Sequence, residues 1–159
     1  MASGAIRSFV AFNLGNEEFA VDITKVQEIN RWVDLTRIPN TSPHVQGVMN
    51  LRGKIVPVID LRSMLGFDGK PADKQTRIIV VEDGGVVAGF LVDAVSEVVQ
   101  LPESAIEAPP SLGGIAEPRY VAGVGRIAER LVVLLDLQIM FQAGVEAGEG
   151  GVPASGQAG

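Results

Sequence analysis

Cysteine is absent from the 159-residue sequence, which excludes disulfides, thiolate metal sites and cysteine nucleophiles together. His44 is the only histidine, so any metal site would rest on carboxylates, and none of these shows EF-hand or paired-ligand spacing. No serine sits in a G-x-S-x-G elbow, and nothing nearby completes a triad with His44, which follows Pro43 and reads as a solvent-facing turn residue. Basic residues are scarce as well: 13 Lys and Arg against 19 Asp and Glu leave a net charge of −6, the wrong sign and spread for gripping a phosphate backbone. No apolar run approaches the roughly 20 residues that span a bilayer. The opening MASGAIRSFVAFNLGNEEF lacks a basic n-region and a long apolar core, so the expected compartment is the cytoplasm. What remains is 47% hydrophobic and 20% charged, a globular composition, and a compact chain of this length buries roughly 68–70% of its unfolded surface.

The sequence repeats itself. GVMNLRGKIVPVIDLR at 47–62 returns as GVGRIAERLVVLLDL at 123–137, a constant 76 positions on, so that Gly47, Val48, Val56, Asp60 and Leu61 meet identical residues. A second echo pairs VDITKVQEI at 21–29 with VDAVSEVV at 92–99 once two residues are deleted. Two echoes in one order describe a duplicated unit, too long for a solenoid repeat and suited to two small domains about a pseudo-twofold axis.

Alternation of Val10, Phe12 and Leu14, then of Phe19, Val21 and Ile23, across Gly15-Asn16 predicts a first hairpin. Thr24 to Glu28 reads as a turn followed by a strand. Ser42, Pro43 and Gly47 have the order of N-cap, first helical residue and C-terminal stop, predicting one helical turn. Val48–Leu51 and Ile55–Ile59 are strands reversed at Arg52-Gly53. Pro57 lacks a ladder donor, which places its strand on an edge or at a bulge. Asp60 caps a short helix at 61–65 closed by Gly66, and Asp136 does the same for 137–141. Ile78–Val81 and Val86–Val92 flank a turn at Asp83-Gly84-Gly85. The expected organisation is a disordered 1–8, a folded 9–141 with halves near 9–66 and 76–141, and a disordered Gly/Ala-rich tail at 142–159.

Gly123-Val124-Gly125-Arg126-Ile127-Ala128 matches the dinucleotide fingerprint, yet a strand-like Leu131–Leu135 follows where a helix belongs. A small-ligand or dinucleotide-binding β-barrel is therefore the alternative function, and no cofactor is expected. Glu17/Glu18 and Glu103/Glu107 read as solvated faces. Trp32 is either a binding aromatic or a cap on the core. Arg52, at the tip of a tight hairpin, carries a rigid five-donor fork suited to a partner's carboxylates or carbonyls.

NLRGKIVPVIDLR, with GNEEFAVDITKVQEI upstream and VVAGFLVDAVSEVV downstream, resembles the signature of the CheW chemotaxis coupling family over residues 9–141. The resemblance implies an all-β fold of two SH3-like five-stranded β-barrels with short helical turns, with terminal strands able to cross between barrels. It implies a non-enzymatic adaptor joining chemoreceptor cytoplasmic tips to the regulatory domain of the histidine kinase CheA, recruited to membrane-associated arrays without entering the bilayer, with assembly into rings. The family's functional positions fall on Val26, Glu28, Gly47, Arg52, Gly89 and Gly123, and Asn50, Leu51, Gly53, Pro57, Asp60 and Arg62 support the motif. The glycines are expected to act through backbone shape, and Arg52, Glu28 and Val26 as surface contacts.

Overall fold

The structure, a computed structural model, describes residues 5–39, 43–108 and 120–147. The first half supplies β1 (Ile6–Leu14), β2 (Glu17–Asp22), β3 (Val26–Arg31), β4 (Val45–Leu51), β5 (Lys54–Asp60) and the short helix α1 (Leu61–Met64). The second supplies β6 (Arg77–Asp83), β7 (Val86–Val92), β8 (Ala94–Pro102), β9 (Ile106–Glu107), β10 (Val121–Ile127), β11 (Arg130–Leu135) and α2 (Leu137–Ala147). They form two SH3-like barrels, one from the sheet β8-β1-β2-β11-β10-β9 (barrel A) and one from the sheet β3-β6-β7-β5-β4 (barrel B). Each barrel draws strands from both halves of the chain.

Strand registers display the duplication. The pair Ala11 and Ala20 of β1–β2 recurs as Val80 and Gly89 of β6–β7, and Ala11 and Glu97 recur as Val80 and Glu28, all at a spacing of 69. The β4–β5 pair Gly47 and Val58 recurs as Gly123 and Leu134 at the spacing of 76. Even the irregularities repeat: bulges at Gln27 and Gln46 have counterparts at Ser96 and Ala122. The uniform spacing of 69 corrects the two-residue deletion inferred from the VD echo, because Val21 pairs with Val10 as Phe90, not Val92, pairs with Ile79.

Among the described residues, three apolar clusters follow from strand alternation. Phe9, Ala11, Ala20, Val99, Leu101, Val132 and Leu134 fill barrel A, and Met49, Val56, Val58, Ile78 and Val80 fill barrel B. The intervening residues of the same strands, among them Val10, Phe12, Val21, Ile79, Val81 and Phe90, join Leu61, Met64, Leu137, Met140 and Phe141 in a larger core between the barrels. That is why FVAF and IIVV are unbroken apolar runs: both faces of these strands are covered.

Several expectations need correction. β1 begins at Ile6, inside the segment read as disordered, and α2 continues to Ala147, past its expected end at 141. Ser42 lies outside the described residues, Pro43 and His44 form a turn, and Gly47 sits within β4 instead of closing a helix. His44 is half-buried, with Nδ1 2.8 Å from Ser63 Oγ. Pro57 is on an inner strand, since β5 pairs with both β4 and β7. It is tolerated because its partner Val48 directs its own N–H and C=O outward to Thr36 (2.8 and 3.0 Å), and the β7 ladder starts only at Val58; no donor is asked of residue 57. Residues 109–119, with Pro109, Pro110 and Pro118, lie outside the described residues.

Candidate functional site: the tip of the β4–β5 hairpin

Arg52 and Gly53 reverse the β4–β5 hairpin with positive φ at both residues, 52° and 85°, a primed turn whose twist suits the flanking strands. Asn50 braces it by accepting the Gly53 N–H at 2.8 Å. A non-glycine residue in this region is strained, and the matching Ala128 has φ 53°, so the backbone shape belongs to the repeat while the arginine is particular to the first hairpin. Arg52 reaches across to Glu28 on β3 with two hydrogen bonds, 3.3 and 2.5 Å. Its side chain nonetheless remains 72% exposed against 23% for Glu28. Gln27, Leu51, Lys54, Val56 and Val87 line a shallow groove beside it.

Not all the expected site residues gather here. Glu28, Asn50, Leu51, Arg52 and Gly53 do. Val26 is half-buried against the core between the barrels, so it is not the open surface contact expected of it. Gly47, Gly89 and Gly123 are buried. A Cβ on Gly47 would stand 2.7 Å from Thr36 O, and one on Gly123 would stand 2.9 Å from Glu107 O. The two glycines thus permit the same event in each barrel: a short strap, Leu35-Thr36 or Ile106-Glu107, paired antiparallel and close against β4 or β10. A Cβ on Gly89 would stand 2.7 Å from Ile78 Cγ2. At all three an added Cβ would meet packed neighbours.

Asp60 and Arg62 sit at the far end of β5. Asp60 caps α1 by accepting the Arg62 N–H at 3.0 Å; burial pushes its carboxyl above the usual range despite that bond and the Ser63 N–H. Arg62 binds Asp93, where burial would raise the carboxyl but hydrogen bonds from Arg62 and the Gly15 N–H outweigh it and hold it low. A carboxylate depressed in the folded state contributes stability above its unfolded pKa and loses it as pH falls through the folded value. Denaturant melts from about pH 5 down to about pH 3 are therefore expected to show falling stability, with a flatter acid limb in Asp93→Asn; an unchanged limb would remove Asp93 as the cause.

Two signals went unread in the sequence. Ile55 and Leu131, 68% and 55% exposed, are aliphatic residues at matching positions of the repeat, found by applying its spacing to surface positions as well as to the core. Glu28 and Glu97 are likewise matched: Arg130 pairs with Glu97 at 2.8 Å and Glu18 at 2.9 Å, so each barrel closes by an arginine–glutamate bond from a hairpin to a crossing strand. Trp32 packs against the barrel B cluster, favouring the core-capping reading. Gly123–Ile127 is strand, so the fingerprint there opens no helix and offers no N-terminal dipole to a pyrophosphate. Among the described residues no group of three or more His, Asp or Glu could hold a metal ion.

The model of the CheW-like domain matches residues 8–144. The chain is 42% identical over 137 residues to the chemotaxis protein CheW of Klebsiella aerogenes, covering 86% of this chain and 82% of that one. With the chemotaxis protein CheW of Helicobacter pylori the identity is 34%, over 84% and 80% of the two chains. Protein PilI of Pseudomonas aeruginosa is 33% identical over 74% of this chain and 66% of its own. Among solved structures, the scaffolding protein TtCheW from Thermoanaerobacter tengcongensis superposes with a TM-score of 0.82 at 36% identity, covering 87% of this chain and 94% of that one. With the duplicated barrels and the motif hairpin in place, the chain belongs to the CheW-like domain family.

Proposed function

We propose that this chain is a chemotaxis scaffold that couples chemoreceptor tips to the regulatory domain of the histidine kinase CheA, with the Arg52–Glu28 face as its receptor contact. Support for the scaffold role comes from relatives that are chemotaxis proteins and a neighbour described as a scaffolding protein; scaffolding needs no catalysis. The observation that carries the receptor face is the state of Arg52. Glu28 fixes its fork on one side, the rest of the guanidinium is open to solvent, and it stands on a strained turn residue. A pre-oriented arginine loses less freedom on binding than a free one, which suits recognition of carboxylates or carbonyls on a partner.

The kinase meets a different face, so both partners occupy the scaffold at once and receptor state biases the kinase through differential contacts. Assembly into rings would extend the same arrangement. No described helix is long and apolar enough to cross a membrane; a cytoplasmic adaptor would reach receptor arrays through its partners.

Calorimetric titration tests the reading. Wild type is expected to bind a receptor-tip fragment and the CheA regulatory domain saturably. Arg52→Glu should weaken receptor binding about ten-fold or more, the size expected of an arginine hot spot, while kinase binding persists. Its melting temperature should stay within about 2 °C, as for other surface substitutions. Failure of the wild type to bind either partner at micromolar concentration would sink the scaffold reading, and an unfolded variant would make Arg52 structural.

A further inference from the structure

The two barrels meet over an apolar core, and apolar contact is non-directional; it holds surfaces together without setting their angle. A directional contact does exist at one of the two crossings between barrels. Arg62, on α1 at the end of barrel B, donates from Nε to Asp93 Oδ1 at 2.8 Å and from Nη2 to Asp93 Oδ2 at 2.6 Å. Asp93 is the single residue between β7 of barrel B and β8 of barrel A. Its Oδ2 also accepts the Gly15 N–H at 2.7 Å, at the tip of the β1–β2 hairpin of barrel A, and its own N–H binds Asn13 O at 3.1 Å. Both side chains are only 15% exposed.

The Arg62 guanidinium makes a further bond, from Nη1 to Asp68 O at 2.7 Å. That bond and the Phe67 N–H to Arg62 O at 2.7 Å hold the loop after α1, from which Phe67 packs edge-on against Phe19 of β2, 6.0 Å between ring centres. One guanidinium therefore ties together the end of barrel B, the crossing, the hairpin tip of barrel A and an aromatic plug between them. A bidentate, partly buried pair fixes orientation as well as distance.

The pseudo-twofold mate of this crossing is built differently. At the spacings of 76 and 69, Gln138 stands for Arg62 and Thr24 for Asp93. Thr24 turns its N–H and Oγ1 to Asp22 at 2.9 and 2.7 Å. The ion pairs there, Arg7–Asp22 and Lys25–Asp83, are single contacts with cations more than 40% exposed. An exposed pair of this kind constrains little.

We infer that Arg62 and Asp93 are a positioning pair that sets the angle between the barrels, so that receptor and kinase seat on one scaffold in fixed relation; this rests on the scaffold reading given above. The chain has no cysteine, so spin labels attached through Ile55→Cys and Leu131→Cys, one on each barrel, report the inter-barrel distance by pulsed electron resonance. The labelled parent should give one narrow distribution. Arg62→Gln, which borrows the side chain of the other crossing, and Asp93→Asn should at least double its width or displace it in protein that still melts cooperatively, with Arg62→Lys in between.

In titrations of the unlabelled Arg62→Gln chain, affinity for the receptor fragment alone and for the kinase domain alone should stay within two-fold. Affinity for the second partner once the first is bound should fall about ten-fold. Unchanged widths in folded variants, with only a lower melting temperature, would reduce the pair to a stabilising one and overturn the inference. So would lost binding of a single partner at unchanged width. Should Arg62→Gln not fold, Arg62→Lys and Asp93→Asn decide by the same distances. The distance result stands whatever the partners prove to be, so failure of the scaffold reading shows separately, in a wild type that binds neither.

Discussion

Phe90→Ala is expected to destabilise the protein by about 3–5 kcal/mol and to lower its melting temperature by roughly 10 °C or more. Phe90 is completely buried on β7, where its strand neighbours are Ile79 and Ile59, and its ring meets Phe141 of α2 edge-on with 6.1 Å between centres. It belongs to the core between the barrels, not to the filling of either one. Truncation removes the transfer energy of a large ring and leaves a cavity that strands held on both sides can close only in part. Denaturant melts should show a single transition with an unchanged slope, because the core couples both barrels into one cooperative unit. A loss below about 1.5 kcal/mol, the range of a well-tolerated swap, would contradict that view. A second transition would mean that the barrels unfold separately.

The second large effect concerns glycines where no turn requires them. Gly47→Ala and Gly123→Ala should each be destabilising by about 1–3 kcal/mol, the range for forcing extra atoms into a packed site. Neither glycine has positive φ; the difficulty is the carbonyl of the strap, 2.7 Å from the new Cβ in one barrel and 2.9 Å in the other. Backbone cannot swing aside as a side chain can. Hydrogen exchange locates the damage: in Gly47→Ala the Val48 amide, which donates to Thr36 O at 2.8 Å, should lose protection first. Gly53→Ala offers the contrast, since its φ of 85° is costly while nothing lies within 4 Å of a Cβ there; it should be destabilising by about 1 kcal/mol and leave Val48 protected. Equal protection of Val48 in all these variants would dismiss the strap as the reason.

The legible part of this molecule was the local part. Hairpins announced themselves by alternation and by Gly15, Gly53 and Gly84-Gly85, and Asp60 and Asp136 stood where helix caps belong. Pairings distant in sequence were not legible, because Val58 beside Gly89 and Ala20 beside Leu134 involve small or branched apolar residues that any neighbour would satisfy. The exchange of strands between barrels rests on those two parallel contacts. At the site, Arg52 could be found from its turn and Glu28 from the family resemblance. Gly47 was misread as a helix stop because the group that crowds it belongs to Thr36, in a segment without periodicity. Arg62 carried no signal beyond its place in the motif; its partner lies 31 residues on, in a crossing that composition does not reveal.

The parallel pairing of Ala20 with Leu134 also bears on how the protein is made. Barrel A holds β1 and β2 and is closed by β11, which follows them only after every strand of barrel B, so it cannot form before β11 has been made. At typical elongation rates the β1–β2 hairpin waits roughly 10 s for β11, with Phe12, Phe19 and Val21 uncovered and both of its edges open to other chains. Folding of barrel A must wait for β11, and that wait is the period in which nascent copies are at their most adhesive.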